Sequence, residues 1–544
     1  MPMPAEFDFI IVGAGSAGSV LANRLSADPR TRVLLLEAGP ASRNPIFTVP
    51  MLAGVAYWHR PTNWNYVTAP QPHLDGRTIR WPRGRLLGGS SAINGMMYMR
   101  GHRSDYDTWA QAGCTGWGHD DVLPYFRRSE DNPEREGDPF HGQGGPLHVA
   151  RARGDNPLYV SFLKAGLSAA RAEGARANPD FNGAVQEGLG LYDFNIAGGR
   201  RVSAATAFLD PVRNRPNLTI WTDAPVARVV FDGRRATGVV AAPHGQSQIV
   251  TARREVILAG GAINTPQILQ LSGIGPAATL AAAGITPLVD APGVGRNLQD
   301  HLGVYLTYAA RDPVTLYGLM RPDRAIAAFL MAWALGRGPA TAVPLEAGGF
   351  LRTRPELEIP DIHITFVPGL NLETTRKGQG RHGYLINFYQ LRPESRGEIA
   401  ITSPDPRMPP RIDPAYLSAE ADRRTLRDGT RLAARIGADP ALARHRKDHI
   451  SPRPEDLASD AAIDAWVRAS ANTIFHPVGT ARMGSDPASV TDPALRVRGV
   501  EGLRVADASV MPTVIGGNTS APTMMIAEKA ADLILGHPAP PRGP

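Results

Sequence analysis

The chain has 544 residues, with 43% hydrophobic and 20% charged side chains and a formal net charge of +7. This balance excludes disordered and fibrous classes and allows two domains around large cores. Its Lys and Arg residues are scattered rather than clustered with interleaved aromatics, which argues against nucleic acid as a partner. A single cysteine, Cys114, excludes an internal disulfide, and with no C-x-x-C or H-E-x-x-H pattern no metal site is expected.

Phe9 to Val12 is an unbroken apolar run that suits a strand buried on both faces. Gly13, Gly15 and Gly18 follow in the G-x-G-x-x-G spacing. The first allows a tight turn, the second lets a pyrophosphate approach the backbone, and the third lets a helix pack on the strand. Ala17, Val20, Leu21 and Leu25 recur on one side of that helix, whose first N–H groups, around Ser16 and Ala17, would face phosphates. A second apolar strand, Val33 to Leu36, stops at Glu37, about 20 residues past the last glycine, where a carboxylate can accept from both ribose hydroxyls. A dinucleotide-binding unit is therefore predicted, and the motif does not separate NAD from FAD. The first strand begins within a few residues of the N-terminus with no export pattern ahead of it, so a cytoplasmic location is expected.

A loop-like stretch with Trp64 leads to Gly84-Arg-Leu-Leu-Gly-Gly-Ser-Ser-Ala-Ile-Asn-Gly95. Its adjacent glycines and serines do not favour regular structure but make a backbone cradle for a second part of a polar ligand. The following run from Ile93 to Tyr98 should enter the core.

With GRLLGGSSAINGMMYMRGHRSDYD after the first motif, the chain resembles the glucose-methanol-choline oxidoreductase family, in its choline-dehydrogenase-like branch. Further matches are Gly260-Gly-Ala-Ile-Asn-Thr-Pro-Gln267 with Ser272-Gly-Ile-Gly275, Val294-Gly-Arg-Asn-Leu-Gln-Asp-His301, and His476-Pro-Val-Gly-Thr480. The resemblance implies FAD, held by Gly13, Gly15, Ser16, Ala17, Gly18, Glu37, Ala38, Trp64, Gly89, Ser90, Asn94, Met97, Val226, Ala259, Asp507, Ala508 and Thr519. It also implies a noncovalent cofactor, because Ile93 stands where some members carry a flavin-linking histidine.

Later in the chain, Asn217 to Trp221 and Ala227 to Phe231 read as strands, and Glu255 to Leu258 as a strand followed by a helix from about Thr265. Ala325 to Leu335 is too short for a membrane span, and reads either as a buried or lid helix or as a surface meeting membrane or an apolar entrance. Ile362 to Val367 alternates, and Tyr384 to Leu391 is joined by PESRG to Glu398 to Thr402, a hairpin signal. Helices are expected over Arg427 to Ile436 and Ser459 to Ala469, then a strand from Leu503 ending at Asp507, and a helix beginning near Asn518.

The predicted fold is a discontinuous α/β Rossmann-like FAD-binding domain (1–155, 200–300, 458–536) plus an α+β substrate domain with a mainly antiparallel sheet (156–199, 301–457) and a disordered tail (537–544). The predicted chemistry is oxidation of a primary alcohol to the aldehyde by hydride transfer to flavin N5, with His476 as base. A family-related lyase or light-driven decarboxylase is the alternative. The family's second polar catalytic residue, Asn or His, corresponds here to Ser520, so Asn518 or water is needed to fill the gap. His301 is expected to order a loop near the cofactor, while His141, His148, His363 and His382 read as surface or packing residues. Quinone or O2 is the expected electron acceptor, with peripheral membrane contact open. Glu346 reads equally as a cation-binding or a structural carboxylate.

Overall fold

The computed structural model describes residues 6–42, 44–173, 175–370 and 381–542. One sheet has the spatial order Leu218–Trp221, Val33–Leu36, Glu6–Val12, Gln248–Leu258, Arg235–Ala241, Val226–Asp232, with Leu503–Val505 also joined to Gln248–Leu258. Its centre is parallel, with Phe9 opposite Val33 and Ile10 opposite Val256. Ile10, Ile11 and Val33 to Leu35 are completely buried in the larger core. The helices Ser16–Leu25 and Ser520–Leu535 contribute to that core and pack on each other. Three separated stretches of sequence thus share one sheet.

The second sheet is antiparallel throughout, ordered Arg446–Ser451, Leu302–Ala310, Gly383–Gln390, Ile362–Val367, Ala347–Leu351, Gly188–Leu191, with Asn472–Thr473 also paired to Leu302–Ala310. Its two faces divide by the strand period of two. Ile362, Ile364 and Phe366, with Tyr384, Ile386 and Phe388, point into a core closed by the helices Pro157–Ala169 and Glu420–Ala438. His363, Thr365 and Val367, with Leu385, Asn387 and Tyr389, point the other way and line a cavity.

Several boundaries differ from the sequence-based expectation. The hairpin across PESRG does not form: Glu398–Ala400 pairs with Arg411–Asp413 instead. Both edges of Gly383–Gln390 are already taken by Leu302–Ala310 and Ile362–Val367, and the N–H groups of Glu394 and Ser395 donate to the Asp422 carboxylate at 2.7 and 2.9 Å. The helix expected from Thr265 begins at Gly261, so Pro266 lies inside it. Proline cannot donate to the Ala262 carbonyl one turn back, and the Thr480 hydroxyl donates to it at 2.7 Å instead. Ser459 caps the next helix, Asp460–Ser470, by accepting from the Ala462 N–H. Ile463, Trp466 and Val467 of that helix join a core that also holds Tyr66, Trp81 and Ile263, so this core spans both expected domains. The tail is not wholly free: Arg542 pairs with Asp121 at 2.8 Å, and only its residues 543–544 lie outside the described residues.

Candidate active site

The glycine motif builds the floor of the site. Gly13 has φ +102° and its N–H donates to the Leu36 carbonyl at 2.8 Å. A Cβ on Gly18 would lie 1.8 Å from the Gly13 oxygen, so only glycine lets the helix start this close to the strand. A Cβ on Gly89 would lie 2.7 Å from the Gly15 Cα, which brings the two glycine-rich stretches into contact.

Above this floor is a cavity of about 1390 Å³, larger than the ~300–1,000 Å³ of ordinary ligand pockets. It is lined by Gly13, Gly15, Ser16, Ala17, Glu37, Ala38, Trp64, Gly89, Ser90, Asn94, Met97, Val226, Ala259, Asp507, Ala508 and Thr519, together with His476, Asn518 and Ser520. Of the residues expected to meet the cofactor, Gly18 alone is not on the wall; it sits behind it, in the helix–strand contact.

Glu37 is 6% exposed, and its carboxylate accepts from the Ala14 N–H at 3.0 Å and the Gly39 N–H at 2.9 Å. Each oxygen keeps acceptor capacity toward the cavity, while burial pushes the carboxyl up to about 7. Asp507 differs. Its carboxylate accepts from Gly261 N–H, Thr265 Oγ1, Ser509 N–H and Ser509 Oγ at 2.5–2.8 Å. It therefore ties the Gly260 turn to the C-terminal segment rather than offering free acceptors. Ile93 is buried beside Phe47, Leu86 and Ala92 and carries no nucleophile.

At the other end of the cavity, Phe475 has φ +67°, and this strained turn aims His476 inward. It is held by Arg83 Nη2 donating to the Phe475 carbonyl at 2.6 Å and by the Phe475 N–H donating to Thr473 Oγ1 at 2.7 Å. The His476 N–H donates to Asp300 Oδ1 at 2.6 Å, and Asp300 also accepts from Thr473 and Tyr416 hydroxyls. Burial pushes the Asp300 carboxyl up to about 6.

The imidazole of His476 sits between His301 and Asn518, with Nδ1 2.9 Å from His301 Nδ1 and Nε2 3.1 Å from Asn518 Nδ2. Burial, reinforced by His301 and Arg83, holds His476 well below the usual histidine value, and burial brings His301 down to about 4. Both rings are neutral near pH 7. Asn518 Oδ1 and Ser520 Oγ are buried without any hydrogen-bond partner. Orphaned polar atoms are uncommon in native interiors, and two of them on this cavity, one on the residue that contacts His476, mark a place built for a polar ligand.

Other histidine expectations need correction. His301 contacts His476 directly instead of only ordering a loop. His363 lines the cavity and bonds Tyr389 and Tyr192, while His141 is buried between Glu130 and Asp180. Glu346 is absent from the cavity wall; its Oε1 accepts from the Arg153 N–H at 3.1 Å. The aromatic chamber residues Tyr57, Tyr305 and Tyr389 have no signature in the sequence, because strand pairing sets Tyr305 and Tyr389 and the end of the short helix Ala53–Ala56 brings Tyr57 to them.

Models of the GMC oxidoreductase family match residues 7–303 and 393–527. The chain is 45% identical to an alcohol dehydrogenase [acceptor] of Pseudomonas putida, over 97% of this chain and 96% of that protein. It is 46% identical to an oxygen-dependent choline dehydrogenase of Paraburkholderia phymatum, over 98% and 93%. Among solved structures, pyridoxine 4-oxidase from Mesorbium loti superposes with a TM-score of 0.86 at 36% identity, covering 98% of this chain and all of that one. Formate oxidase from Aspergillus oryzae superposes with a TM-score of 0.90 at 28% identity, covering 98% of each.

Proposed function

The chain belongs to the GMC oxidoreductase family and is an FAD-dependent oxidoreductase acting on CH–OH donors; from that premise we propose that its substrate is an uncharged primary alcohol and that His476 Nε2 is the base. The observation that carries this reading is that no carboxylate lines the cavity at His476, where the charged wall residue is Arg83. Among the described residues, the only carboxylates on the cavity are Glu37 and Asp507, at the glycine-motif end and the Gly260 turn. Among the described residues no counterion there compensates an ammonium group, whose desolvation without one costs several kcal/mol. The polar groups of the chamber, Tyr57, Tyr305, Thr365 and Asn387, suit a neutral alcohol instead.

The glycine cradle and Glu37 fit the dinucleotide, with Glu37 taking the ribose hydroxyls and the Gly13–Ala17 and Gly89–Ser90 backbones taking the pyrophosphate. When bound there, FAD supplies the two-electron acceptor for the hydride of the alcohol carbon. The chain's own work is the proton. His301 Nε2 donates to the Leu391 carbonyl at 3.0 Å, so neutral His301 presents a lone pair at Nδ1. His476 must then donate from its Nδ1, and its Nε2 lone pair is left facing the chamber. An alcohol O–H entering beside Asn518 donates to that lone pair, and the freed Asn518 amide donates to the alcohol oxygen as charge develops on it. Asn518 thereby fills the place that Ser520 leaves short.

The electron acceptor in this reading is a quinone, with O2 as the second possibility; the relatives named above include an acceptor-linked dehydrogenase and oxidases. The lyase alternative finds no counterpart among them. The test is an anaerobic absorbance titration of the purified protein with aliphatic and benzylic primary alcohols and with choline, followed by air. Bleaching by a neutral alcohol, with choline at least ~100-fold less effective in kcat/KM, is expected. Slow recolouring in air identifies a quinone-linked dehydrogenase. Preferential bleaching by choline overturns the neutral-alcohol assignment, and a flavin that no alcohol bleaches overturns the oxidase chemistry.

A further inference from the structure

The helix Pro322–Leu335 is packed inside out. Its small residues face the protein: Ala328 and Ala332 are buried against Val49 and Ala340, with Met51 and Leu52 alongside. Apart from Phe329, which packs partly on the same core, its large apolar residues face outward, with Ile326 59%, Leu330 49%, Trp333 45% and Leu335 68% exposed. Ile326, Leu330 and Trp333 are spaced i, i+4, i+7 and form one stripe on the helix. Scattered single exposed hydrophobics need no explanation, but a continuous stripe of this kind does.

The stripe is bordered by positive charge. Arg321 and Arg324 stand at the N-terminal end and Arg337 just past the C-terminal end, all exposed. Arg200 donates to the Trp333 carbonyl at 2.7 Å and adds a fourth guanidinium at that end. Asp323 is the one acid in the helix, and it is paired with Arg321. Apolar and aromatic residues in the middle with arginines at the rim is the composition of a helix that lies in the headgroup layer of an anionic bilayer.

The helix also adjoins the mouth of the cavity. Leu316, Tyr317 and Leu319, in the turn leading into it, are on the cavity wall, as are Val55 and Trp58, which are 47% and 37% exposed. We propose that the Pro322–Leu335 helix is a docking surface for an anionic lipid bilayer, which seats the cavity mouth on the membrane so that apolar alcohols and a lipid-borne quinone reach the site from the hydrocarbon side. The docking stands on the surface alone. Only the use made of the mouth rests on the proposed alcohol chemistry.

Among the described residues no helix is long and apolar enough to cross a membrane, so the contact is peripheral and reversible. The test is flotation of the holoenzyme with vesicles of phosphatidylglycerol and phosphatidylethanolamine against vesicles of phosphatidylcholine. The anionic vesicles should bind at least ~10-fold more protein, and binding should fall as salt is raised. I326S/L330S/W333S should lose at least ~10-fold in vesicle binding, and R324E/R337E a similar factor. Both should keep the flavin spectrum and turn over a short water-soluble alcohol with a soluble dye within twofold of wild type. The proposal is overturned if the serine variant floats like wild type, or if neutral and anionic vesicles bind equally. It is also overturned if the wild type does not float and light scattering shows that the serine variant converts a dimer to a monomer, because a second copy then covers the face. Flotation needs no turnover, so failure of docking and failure of the alcohol reading give separate signatures.

Discussion

His301 and His476 meet Nδ1 to Nδ1 at 2.9 Å, and the Leu391 carbonyl at the far side of His301 decides which of them donates. A carbonyl cannot donate, so the proton order runs in one direction along the chain, from His476 through His301 to Leu391. In the proposed mechanism His301 is a positioning residue, since it sets the tautomer of His476. H301A should keep bound flavin and lower kcat by about 10–100-fold, with a smaller change in KM. The pH profile separates this from a loss of packing. His476 must be neutral to act, and removing His301 opens the site to water and so relieves the burial that holds His476 down. Its pKa then rises toward the ordinary value, so the acid limb of kcat/KM should move to higher pH. An acid limb that stays in place removes His301 from the proton path.

In the proposed mechanism Asn518 takes the role that the resemblance gives to an Asn or His at the position of Ser520. Asn518 Nδ2 already reaches His476 Nε2, whereas Ser520 Oγ touches no partner. N518A should therefore cost roughly 3 kcal/mol in the transition state, about a hundredfold in kcat. S520A should cost less than about threefold, and S520N should raise kcat by adding a donor of longer reach. Steady-state kinetics with one primary alcohol checks all three. A silent N518A combined with a crippled S520A reverses the assignment.

What was legible in the sequence was what local chemistry dictates. The strand, glycine turn, helix and second strand over residues 6–36 follow from apolar runs and Gly13 and Gly18, and they appear where those residues place them. The alternation of Ile362 to Val367 likewise forecasts a strand with one face on a core and the other on the cavity. The failures are tertiary. Glu398 had a good hairpin signal but no free strand edge to pair with, and the helix expected from about Thr265 starts at Gly261 because distant Thr480 satisfies the Ala262 carbonyl that Pro266 cannot. The contact of His301 with His476 has no signature in spacing, and the apolar run from Ala325 to Leu335 left open whether its helix is buried or a surface, because that depends on which face packs.

Glu37 gives a pH dependence with a definite sign. Without cofactor its carboxyl titrates at about 7, pushed up by burial, and ribose hydroxyls prefer the ionised form as acceptor. FAD binding should pull that pKa down and release a proton. Affinity should therefore rise with pH up to about 7 and level off above it. E37Q should weaken FAD by at least about tenfold and flatten the profile. Equilibrium titration of apoprotein between pH 5.5 and 8.5 is the measurement, and an affinity that falls across this range contradicts the assigned contact.

Glu528 holds the C-terminal helix, and with it Asn518 and Ser520, to the first βα unit. Its carboxylate is completely buried, accepts from Arg24 Nη2 at 2.7 Å and Ser129 Oγ at 2.9 Å, and forms an ion pair with the Arg128 guanidinium at 2.8 Å. The two guanidiniums keep 28% and 31% of their side-chain exposure, so solvent screens part of the interaction. Removing the anion nevertheless leaves two cations facing each other across the helix contact, where truncating a buried pair costs about 3 kcal/mol. E528A should lower the thermal midpoint by several degrees and release flavin at a lower temperature than wild type. E528Q keeps the shape and one acceptor and should recover part of the loss. The order matters for mechanism: because the helix carries the base's partner, flavin release and loss of secondary structure should coincide in E528A. Flavin fluorescence rising well before the circular dichroism transition shows instead that the cofactor cradle opens without this helix.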